Sequence, residues 1–446
     1  MITQRGFAVS HALITDDREL KDAFTQIVPE TKRTRQEIKI AYRLARNGIY
    51  LPRSILFRPV CGIGAQYRTK FSPQVFGFDA ADCTLPAGAL RADKIAIVDH
   101  LVETVFSAQR IAEGSAGCLL NLRAGYGKTF VAAGLIWRLR LKTLYITIRA
   151  GLVDQARQDL LETCGLPSAA VDFCIVNSAA KKYNFSDYDL VIFDEAHRYG
   201  SPTWIKMFNM WPRCILGLSG TPHNSKYAQT LHHYFGTIVH AEDIRGFSYD
   251  ATQFKLHVRA IFYHGPAKYT QNLVNEKTDE ISTSLIHKQV VLEDAARQDL
   301  VMAEFMRLYQ RGHTIFVFAE EVDFVQWFVA RAHAIDDIYA PEVRKFTGGL
   351  KGAEAARIMK TARVFATTYG YSSTGISVKR ASAILFLTSR KADMDQIVAR
   401  ILRVGSDESV EREIVDIVDA NTILVHHYKK RYDAYMRQGA TVERVY

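Results

Sequence analysis

The stretch LRAGYGKTF, residues 122–130, lies between an apolar run and a segment with the length of a buried helix. A glycine loop between a strand and a helix binds phosphate well, because the first N–H groups of a helix have no partner inside it. The full phosphate-loop pattern requires a Gly where Leu122 stands, but the core from Gly125 to Thr129 is intact. Taken alone, the core leaves a glycine-rich turn as the alternative.

The order of elements around this loop predicts the fold class. From about residue 115, short apolar runs alternate with helical segments, and the predicted strands are 118–122, 143–148, 173–177, 189–194 and 214–220. A second series follows residue 245 without a glycine-lysine loop, with predicted strands 255–263, 314–320, 363–369 and 383–389. Nearly continuous apolar strands separated by helices indicate parallel sheets covered on both faces. We therefore expect an α/β protein with two parallel-sheet lobes in tandem, 86–245 and 246–446.

The first 85 residues follow a different pattern and predict a small α+β accessory domain. A charged stretch at 34–47 is predicted to be helical, and IYLPRSILF at 49–57 to be extended, since Pro52 ends any helix. This region holds 13 Lys/Arg and 8 Asp/Glu, hence +5 of a total net charge of +10. The excess favours a polyanionic partner such as nucleic acid, with an ordinary solvated surface as the alternative.

Composition also bears on compartment and metals. No apolar run approaches the roughly 20 residues of a membrane span, and the N-terminus lacks the apolar segment of a signal peptide. We expect a soluble intracellular protein without membrane contact. The six cysteines show no C-x-x-C spacing, and Cys118, Cys174 and Cys214 lie in apolar runs where a cysteine is a small core residue. We therefore expect no structural metal.

The segment DLVIFDEAH, residues 189–197, is an apolar strand that ends in two adjacent carboxylates. Asp194 is suited to hold Mg²⁺ through its water shell, and Glu195 to orient and deprotonate an attacking water. In the glycine loop, Lys128 would reach the β- and γ-phosphates of a nucleotide, and the Thr129 hydroxyl would bind Mg²⁺. An acidic turn alone would be commonplace, but together with the loop it predicts hydrolysis of a nucleoside triphosphate.

These segments resemble, in order, the motifs of superfamily 2 helicases and translocases of the DExH type. The matching segments are RAGYGKT (123–129), ITIRAGLVDQ (146–155), IVNSAAKK (175–182), DEAH (194–197), LSGTP (218–222), TIFVFAE (314–320), FTGG (346–349), ATTYGYSSTGISV (366–378) and QIVARILRVG (396–405). The resemblance implies two RecA-like lobes that hydrolyse ATP with Mg²⁺ between them and contact a nucleic-acid backbone.

The resemblance also implies a role for each residue that matches a motif. The nucleotide and its metal are expected on Arg91, Gly125, Tyr126, Gly127, Lys128, Thr129, Asp194 and Gly375, with Thr129 and Asp194 at Mg²⁺. Catalysis is assigned to Lys128, Asp194, Glu195, Gln396, Arg400 and Arg403. Coupling is assigned to His197, Ser219 and Thr221, and backbone contacts with nucleic acid to Thr147, Arg149, Ser178, Thr347 and Thr374.

The last motif supplies the cationic groups of the second lobe. Gln396, Arg400 and Arg403 are spaced by four and three residues, which predicts that they share one face of a helix. The family implies that Arg403 is an arginine finger and Arg400 a second contact of the γ-phosphate. Such an arginine can be worth about 10³–10⁵ in rate. Without the preceding motifs, a solvated basic helix would be the better interpretation.

The chain departs from the family pattern at three positions. Lys94, in LRADK at 90–94, stands where the family has a Gln that recognises adenine, so base selectivity is left open. Ile148 replaces a Pro and Ala399 replaces a Gly, both small changes. The phosphate-facing residues are all present, and we expect an active enzyme.

A narrower resemblance concerns the two ends of the chain. The segments 20–32, 46–57 and 415–446 are similar to those of helicases from bacteriophages and large DNA viruses, including UvsW-type and poxvirus-type transcript-release helicases. This implies a DNA-directed ATPase in viral transcription, replication or recombination, in the cytoplasm or nucleus of a host cell or packaged in a virion. The alternatives are an RNA helicase, or a structural component with the motor fold and little unwinding.

Overall fold

The computed structural model describes residues 2–3, 6–10, 12, 14, 16–28, 37–40, 43–45, 48–52, 88, 90–201, 203–209, 212–224, 227–249, 254–336, 339–348, 350, 352–372, 378–391, 394–403 and 406–446. The chain divides into two compact units, 1–249 and 250–446. Thr374 and Gly375, expected at the nucleic acid and the nucleotide, lie outside the described residues. Among those residues, no helix combines the length and the apolar character needed to cross a membrane.

The N-terminal region is built from short antiparallel strands and one helix. Its elements are β1 Ile2–Thr3, β2 Gly6–Ser10, α1 Asp17–Phe24, β3 Thr25–Val28, β4 Glu37–Ile40, β5 Arg43–Ala45 and β6 Gly48–Leu51. The helix predicted at 34–47 is wrong, because its described residues form β4 and β5. β4 pairs with β3, and β5 with β6, so strand pairing overrides the local helical pattern.

The first unit also contains a six-stranded parallel sheet in the order β12-β7-β11-β10-β8-β9. Its strands are β7 Gly117–Asn121, β8 Thr143–Thr147, β9 Val171–Ile175, β10 Leu190–Asp194, β11 Cys214–Ser219 and β12 Thr237–His240. Its helices are α2 Ala92–Thr104, α3 Ala108–Ala112, α4 Lys128–Leu139, α5 Ala150–Arg157, α6 Val176–Lys182 and α7 Ala228–Phe235. Apolar clusters pack on both faces of the sheet, as the continuous apolar strands predict.

The second unit contains a seven-stranded parallel sheet in the order β17-β18-β16-β19-β20-β13-β21. Its strands are β13 Leu256–Tyr263, β16 Ile315–Ala319, β17 Val343–Lys345, β18 Val364–Thr368, β19 Ala383–Phe386, β20 Arg412–Asp419 and β21 Thr441–Val445, and the pair β14 Val274–Asn275 and β15 Glu280–Ile281 forms a separate hairpin. Its helices are α8 Thr283–Lys288, α9 Ala295–Gln310, α10 Val322–His333, α11 Tyr339–Glu342, α12 Gly352–Thr361, α13 Tyr369–Ser372, α14 Met394–Val398 and α15 His426–Arg437. The predicted α/β class with two parallel sheets in tandem is confirmed.

The described cysteines behave as small core residues. Cys118, Cys174 and Cys214 are buried as predicted, and Cys164 is buried as well. Burial raises the pKa of the Cys118 thiol to about 12, so this thiol stays protonated at neutral pH.

Candidate active site

The glycine loop connects β7 to α4 and has the backbone of a phosphate cradle. Gly125 and Gly127 have φ values of +81° and +83°, and Gly127 is the residue that caps α4. These left-handed values favour glycine, because a Cβ would clash with the following carbonyl. Leu122 is fully buried and its N–H donates to the Ser219 carbonyl at 2.9 Å. Leu122, which occupies the position of the first Gly in the full pattern, is therefore still packed beside β11 and precedes the loop itself.

The two carboxylates follow β10, at the same edge of the sheet as the glycine loop. Carboxyl ends of parallel strands are the usual place for ligands in open α/β sheets. The Lys128 ammonium lies 3.4 Å from Glu195 Oε1, and the Glu195 N–H donates to Asp194 Oδ1 at 3.0 Å. Glu195 has φ +52°, a left-handed conformation that is uncommon for residues other than glycine. Strained backbone of this kind is concentrated at functional sites.

The surroundings of the two carboxylates shift their pKa values in opposite directions. Burial, together with the neighbouring charge of Glu195, raises the pKa of Asp194 to about 6. Burial would also raise the pKa of Glu195, but the Lys128 ammonium and His197 outweigh it and lower that pKa. Glu195 is therefore ionised at neutral pH and already paired with the lysine of the phosphate loop.

The oxygens of Asp194 and Thr129 fit a hard divalent cation such as Mg²⁺. Both side chains lie close to the Tyr145 hydroxyl, which is buried in β8 beneath them. Burial and the charge of Asp194 raise the pKa of Tyr145 well above its usual value, and Thr129 opposes this shift. Tyr145 was missed by the sequence reasoning, because a Tyr inside the apolar run TLYIT carries no separate signal.

A hydrogen-bonded path connects the acidic turn to the end of β11. His197 Nδ1 lies 3.0 Å from Ser219 Oγ and 3.5 Å from Glu195 Oε2. Ser219 is fully buried, and its Oγ also accepts the Thr221 N–H at 3.1 Å. The three residues expected to couple the nucleotide to the motor are therefore brought together beside Glu195.

Lys94 packs against the glycine loop. It is only 4% exposed, and a Cβ added to Gly127 would lie 2.7 Å from Lys94 Cε. Burial lowers the pKa of Lys94 below its usual value, with Asp93 opposing the shift. Arg91 binds the Asp93 carboxylate through two hydrogen bonds of 3.1 Å. Lys94 is thus placed at the loop, although it carries no acceptor for an adenine amino group.

Tyr126 belongs to an aromatic cluster at the C-terminal end of the first unit. Its ring meets Phe247 at 5.8 Å and Tyr249 at 4.6 Å, both edge to face, and its hydroxyl donates to the Ser248 carbonyl at 3.2 Å. The Arg91 guanidinium lies 6.0 Å from the centre of the Tyr126 ring. Arg91 and Tyr126, both expected at the nucleotide, are therefore neighbours.

In the second unit, the predicted single helix for Gln396, Arg400 and Arg403 is wrong. α14 ends at Val398, and from Arg400 onward the N–H groups bond three residues back, as in Arg400 to Ile397 and Ile401 to Val398. The described residues just beyond Val398 form turns, in which the Ile401 carbonyl accepts Arg412 Nε and the Arg403 carbonyl accepts the Ser406 hydroxyl. Only Gln396 lies on the helix, where it is half-buried, and the two arginines lie in the turns that follow.

The residues expected at nucleic acid differ in exposure. Arg149 is exposed at the start of α5, and Ser178 is half-buried on α6. Thr147 is fully buried, and its hydroxyl donates to the Arg149 carbonyl at 3.0 Å, so it shapes the turn that presents Arg149. Thr347 in the second unit is 2% exposed.

Comparison with known proteins identifies the family. The family model described as "Type III restriction enzyme, res subunit" matches residues 88–183 and 166–224. An African swine fever virus protein named "Putative ATP-dependent RNA helicase QP509L" is 32% identical over 360 residues, which cover 72% of this chain and 68% of the viral protein. The chain belongs to the superfamily 2 helicases. It is an ATP-hydrolysing enzyme of viral type, and the resemblance drawn from its motifs is confirmed.

Other similar proteins come from large DNA viruses as well. "Putative ATP-dependent RNA helicase L396" of Acanthamoeba polyphaga mimivirus is 23% identical over 100% of this chain and 86% of its own length. "Putative helicase 161L" of Invertebrate iridescent virus 6 is 24% identical over 75% of this chain and 79% of its own. "The crystal structure of T4 UvsW" covers 96% of this chain and 95% of its own at 17% identity, but a TM-score of 0.34 supports no conclusion.

Proposed function

We propose that this helicase hydrolyses Mg²⁺-ATP at the edge formed by the glycine loop and the acidic turn, and uses the energy to move along or unwind DNA. The observation that carries the proposal is the Lys128–Glu195 ion pair at 3.4 Å beside the left-handed Gly127. It joins a phosphate-binding cation and a potential general base at one edge of the sheet. Each belongs to a motif that the sequence presents in the order typical of the family.

The chemistry follows from the charges of the first unit. When a triphosphate occupies the loop, the free N–H groups of α4 and the Lys128 ammonium bind its oxygens. Lys128 then leaves Glu195, whose ionised carboxylate can accept a proton from a water aligned with the γ-phosphate. Thr129 and Asp194 would hold Mg²⁺, which neutralises charge on the phosphates when bound. His197 lies within reach of both Glu195 and Ser219, the last residue of β11. When Lys128 leaves Glu195, a shift of His197 can therefore change its contact with β11.

The second unit is proposed to supply Arg400 and Arg403. A guanidinium at the γ-phosphate stabilises the charge that develops in the transition state. Arg400 is 6% exposed, whereas Arg403 is half-buried in the turns beyond α14. On this proposal, Arg403 is the residue that contacts the transferred phosphoryl group, Arg400 holds the γ-phosphate, and Gln396 orients the attacking water.

The proposal also specifies the track, that is, whether the enzyme moves along DNA or RNA. DNA is favoured over RNA by the resemblance of the chain ends to DNA-directed viral helicases, whereas the +5 charge of residues 1–85 favours nucleic acid of either kind. RNA is the second candidate, because the similar proteins of African swine fever virus and mimivirus are named as RNA helicases. Backbone contacts alone do not separate these tracks, since phosphates carry little sequence information and the 2′-hydroxyl makes the difference.

Steady-state ATP hydrolysis by the full chain tests the track. The rate is measured alone and with single-stranded DNA, duplex DNA or RNA of matched length, at one fixed salt concentration. Greater stimulation by DNA supports the proposal, and greater stimulation by RNA assigns the second candidate. Hydrolysis that no nucleic acid changes would refute both and favour a structural role for the motor fold.

A further inference from the structure

Arg412, the first residue of β20, is a buried cation, and its hydrogen-bond acceptors among the described residues are neutral. It is 1% exposed, and its guanidinium binds three backbone carbonyls and one hydroxyl. Its Cζ lies 4.2 Å from the centre of the Phe254 ring, which adds a cation–π contact. Burial lowers the pKa of Arg412 below its usual value, and the charges of Asp407 and Glu408 oppose this shift. Burying a charge in this way is costly unless hydrogen bonds satisfy the charged group. The hydrogen bonds of the Arg412 guanidinium therefore decide how this part of the chain is held.

The acceptors all belong to the turn that follows α14. Arg412 Nε donates to the Ile401 carbonyl at 2.6 Å, and Nη2 donates to Ser406 Oγ and the Asp407 carbonyl, both at 2.8 Å. Nη1 donates to the Val410 carbonyl. A planar fork with five donors is suited to this geometry, whereas a lysine ammonium is not. The turn is therefore folded around one side chain.

Ser406 extends this network to Arg403. The Ser406 hydroxyl accepts from Arg412 and donates to the Arg403 carbonyl at 2.6 Å. The Arg403 carbonyl is thus connected to Arg412 through one hydroxyl, and the Ile401 carbonyl, which follows Arg400 in sequence, is bound directly. Of the two arginines proposed at the γ-phosphate, Arg403 is the one whose backbone carbonyl belongs to this network.

Arg412 is itself anchored in the sheet. Its N–H donates to the Lys255 carbonyl at 2.8 Å, and β20 lies between β19 and β13. Because the Arg412 side chain starts on an interior strand and its guanidinium binds the turn, it holds the turn at a fixed position relative to that strand. The turn is consequently tied to a rigid element, although its described residues, 399–403 and 406–411, form no helix or strand.

We propose that Arg412, acting through Ser406, is a positioning residue that holds Arg403 in the geometry required for ATP hydrolysis. The inference rests on the proposed function, since it gives Arg403 its role. Misplacing a catalytic group by about 1 Å can reduce the rate about 100-fold. Loss of this network should therefore lower kcat without weakening the ground-state binding of ATP.

The test compares Ser406→Ala with two matched variants in the nucleic-acid-stimulated ATPase of the full chain. Ser406→Thr keeps the hydroxyl, and Ser409→Ala removes an exposed hydroxyl of the same turn that donates to Asp407 Oδ1 at 2.6 Å instead. We expect Ser406→Ala to lower kcat about tenfold or more, with KM for ATP unchanged within about twofold. Ser406→Thr and Ser409→Ala should retain the wild-type kcat.

Arg412→Gln and an Arg403→Ala background complete the experiment. Arg412→Gln should lower kcat at least as much as Ser406→Ala, and neither change should lower it further once Arg403 is Ala, because residues that act as one unit are not additive. If Arg403→Ala is impaired but Ser406→Ala keeps the wild-type kcat, or if the two effects multiply, the positioning role is wrong. If Arg403→Ala itself keeps the wild-type kcat, the proposed role of Arg403 fails, and the inference fails with it.

Discussion

Replacement of Gly127 by Ala perturbs the phosphate loop in two separable ways. The backbone has φ +83° and ψ 45°, a left-handed conformation that costs a residue with a Cβ about 1–2 kcal/mol. The new Cβ would also lie 2.7 Å from Lys94 Cε, so Lys94 must withdraw by several tenths of an ångström. Forcing a side chain off its rotamer costs about 0.5–1.5 kcal/mol. Together, these two effects should lower the free energy of unfolding by about 1.5–3.5 kcal/mol.

Gly246→Ala is the matched control within the same unit. Gly246 has φ +84°, but a Cβ there would meet Ala96 Cβ at an ordinary 3.8 Å. It should therefore lose only the backbone part, about 1–2 kcal/mol. Calorimetry follows both variants, since about 1 kcal/mol shifts Tm by roughly 2–4 °C in a domain of this size. Only Gly127→Ala should raise KM for ATP, because Gly127 caps α4, whose free N–H groups are proposed to bind phosphate, whereas Gly246 lies outside the loop.

A Lys94→Ala background isolates the contact between Lys94 and the loop. In that background, the cost of Gly127→Ala should fall to the cost of Gly246→Ala, because Cε is no longer present. Equal Tm values for the two glycine variants in the wild-type background, together with a wild-type KM for Gly127→Ala, would refute both the crowding and the phosphate role of the loop.

Three other changes test the described packing and electrostatics. Asp416→Asn removes the carboxylate that binds the fully buried Arg431 at 2.8 Å, and breaking a buried pair should cost about 3–5 kcal/mol in calorimetry of the second unit. Burial lowers the pKa of His427 to about 4. Between pH 6.5 and 4 the unfolded chain therefore binds more protons than the folded one, and acid lowers the stability of the fold. His427→Gln should flatten this part of the curve of Tm against pH. Gly217→Ala in β11 would place a Cβ 2.5 Å from Leu119 Cδ1, and such overpacking should cost about 1–3 kcal/mol in the Tm of the first unit.

The lobes and the edge that carries the site were predictable because their signals are local. A strand buried on both faces reads as a continuous apolar run, and β7, β10 and β11 each end in a polar segment with recognisable chemistry. Parallel strands then bring Lys128 and Glu195 to one edge, although 66 residues separate them. The topology was enough to predict this meeting without any knowledge of side-chain positions.

The features that sequence reasoning missed depend on partners far away in the chain or on loop backbone. The strands β4 and β5 form because they pair with β3 and β6, and a charged composition concealed that pairing. α14 ends at Val398, before Arg400 and Arg403, and the distant Arg412 side chain binds the turn that follows, so the expectation of one shared helix face was wrong. Burial of Lys94 against Gly127 likewise depends on how α2 packs beside the loop.

The role proposed for Glu195 is that of the general base of ATP hydrolysis. Its most direct measurement is kcat for ATP in wild type, Glu195→Gln and the control Glu103→Gln, an exposed position on α2, with ATP binding measured beside each rate. We predict that Glu195→Gln retains ATP binding but loses about 10²–10⁴ in kcat, whereas Glu103→Gln matches wild type. A wild-type kcat for Glu195→Gln would contradict the claim.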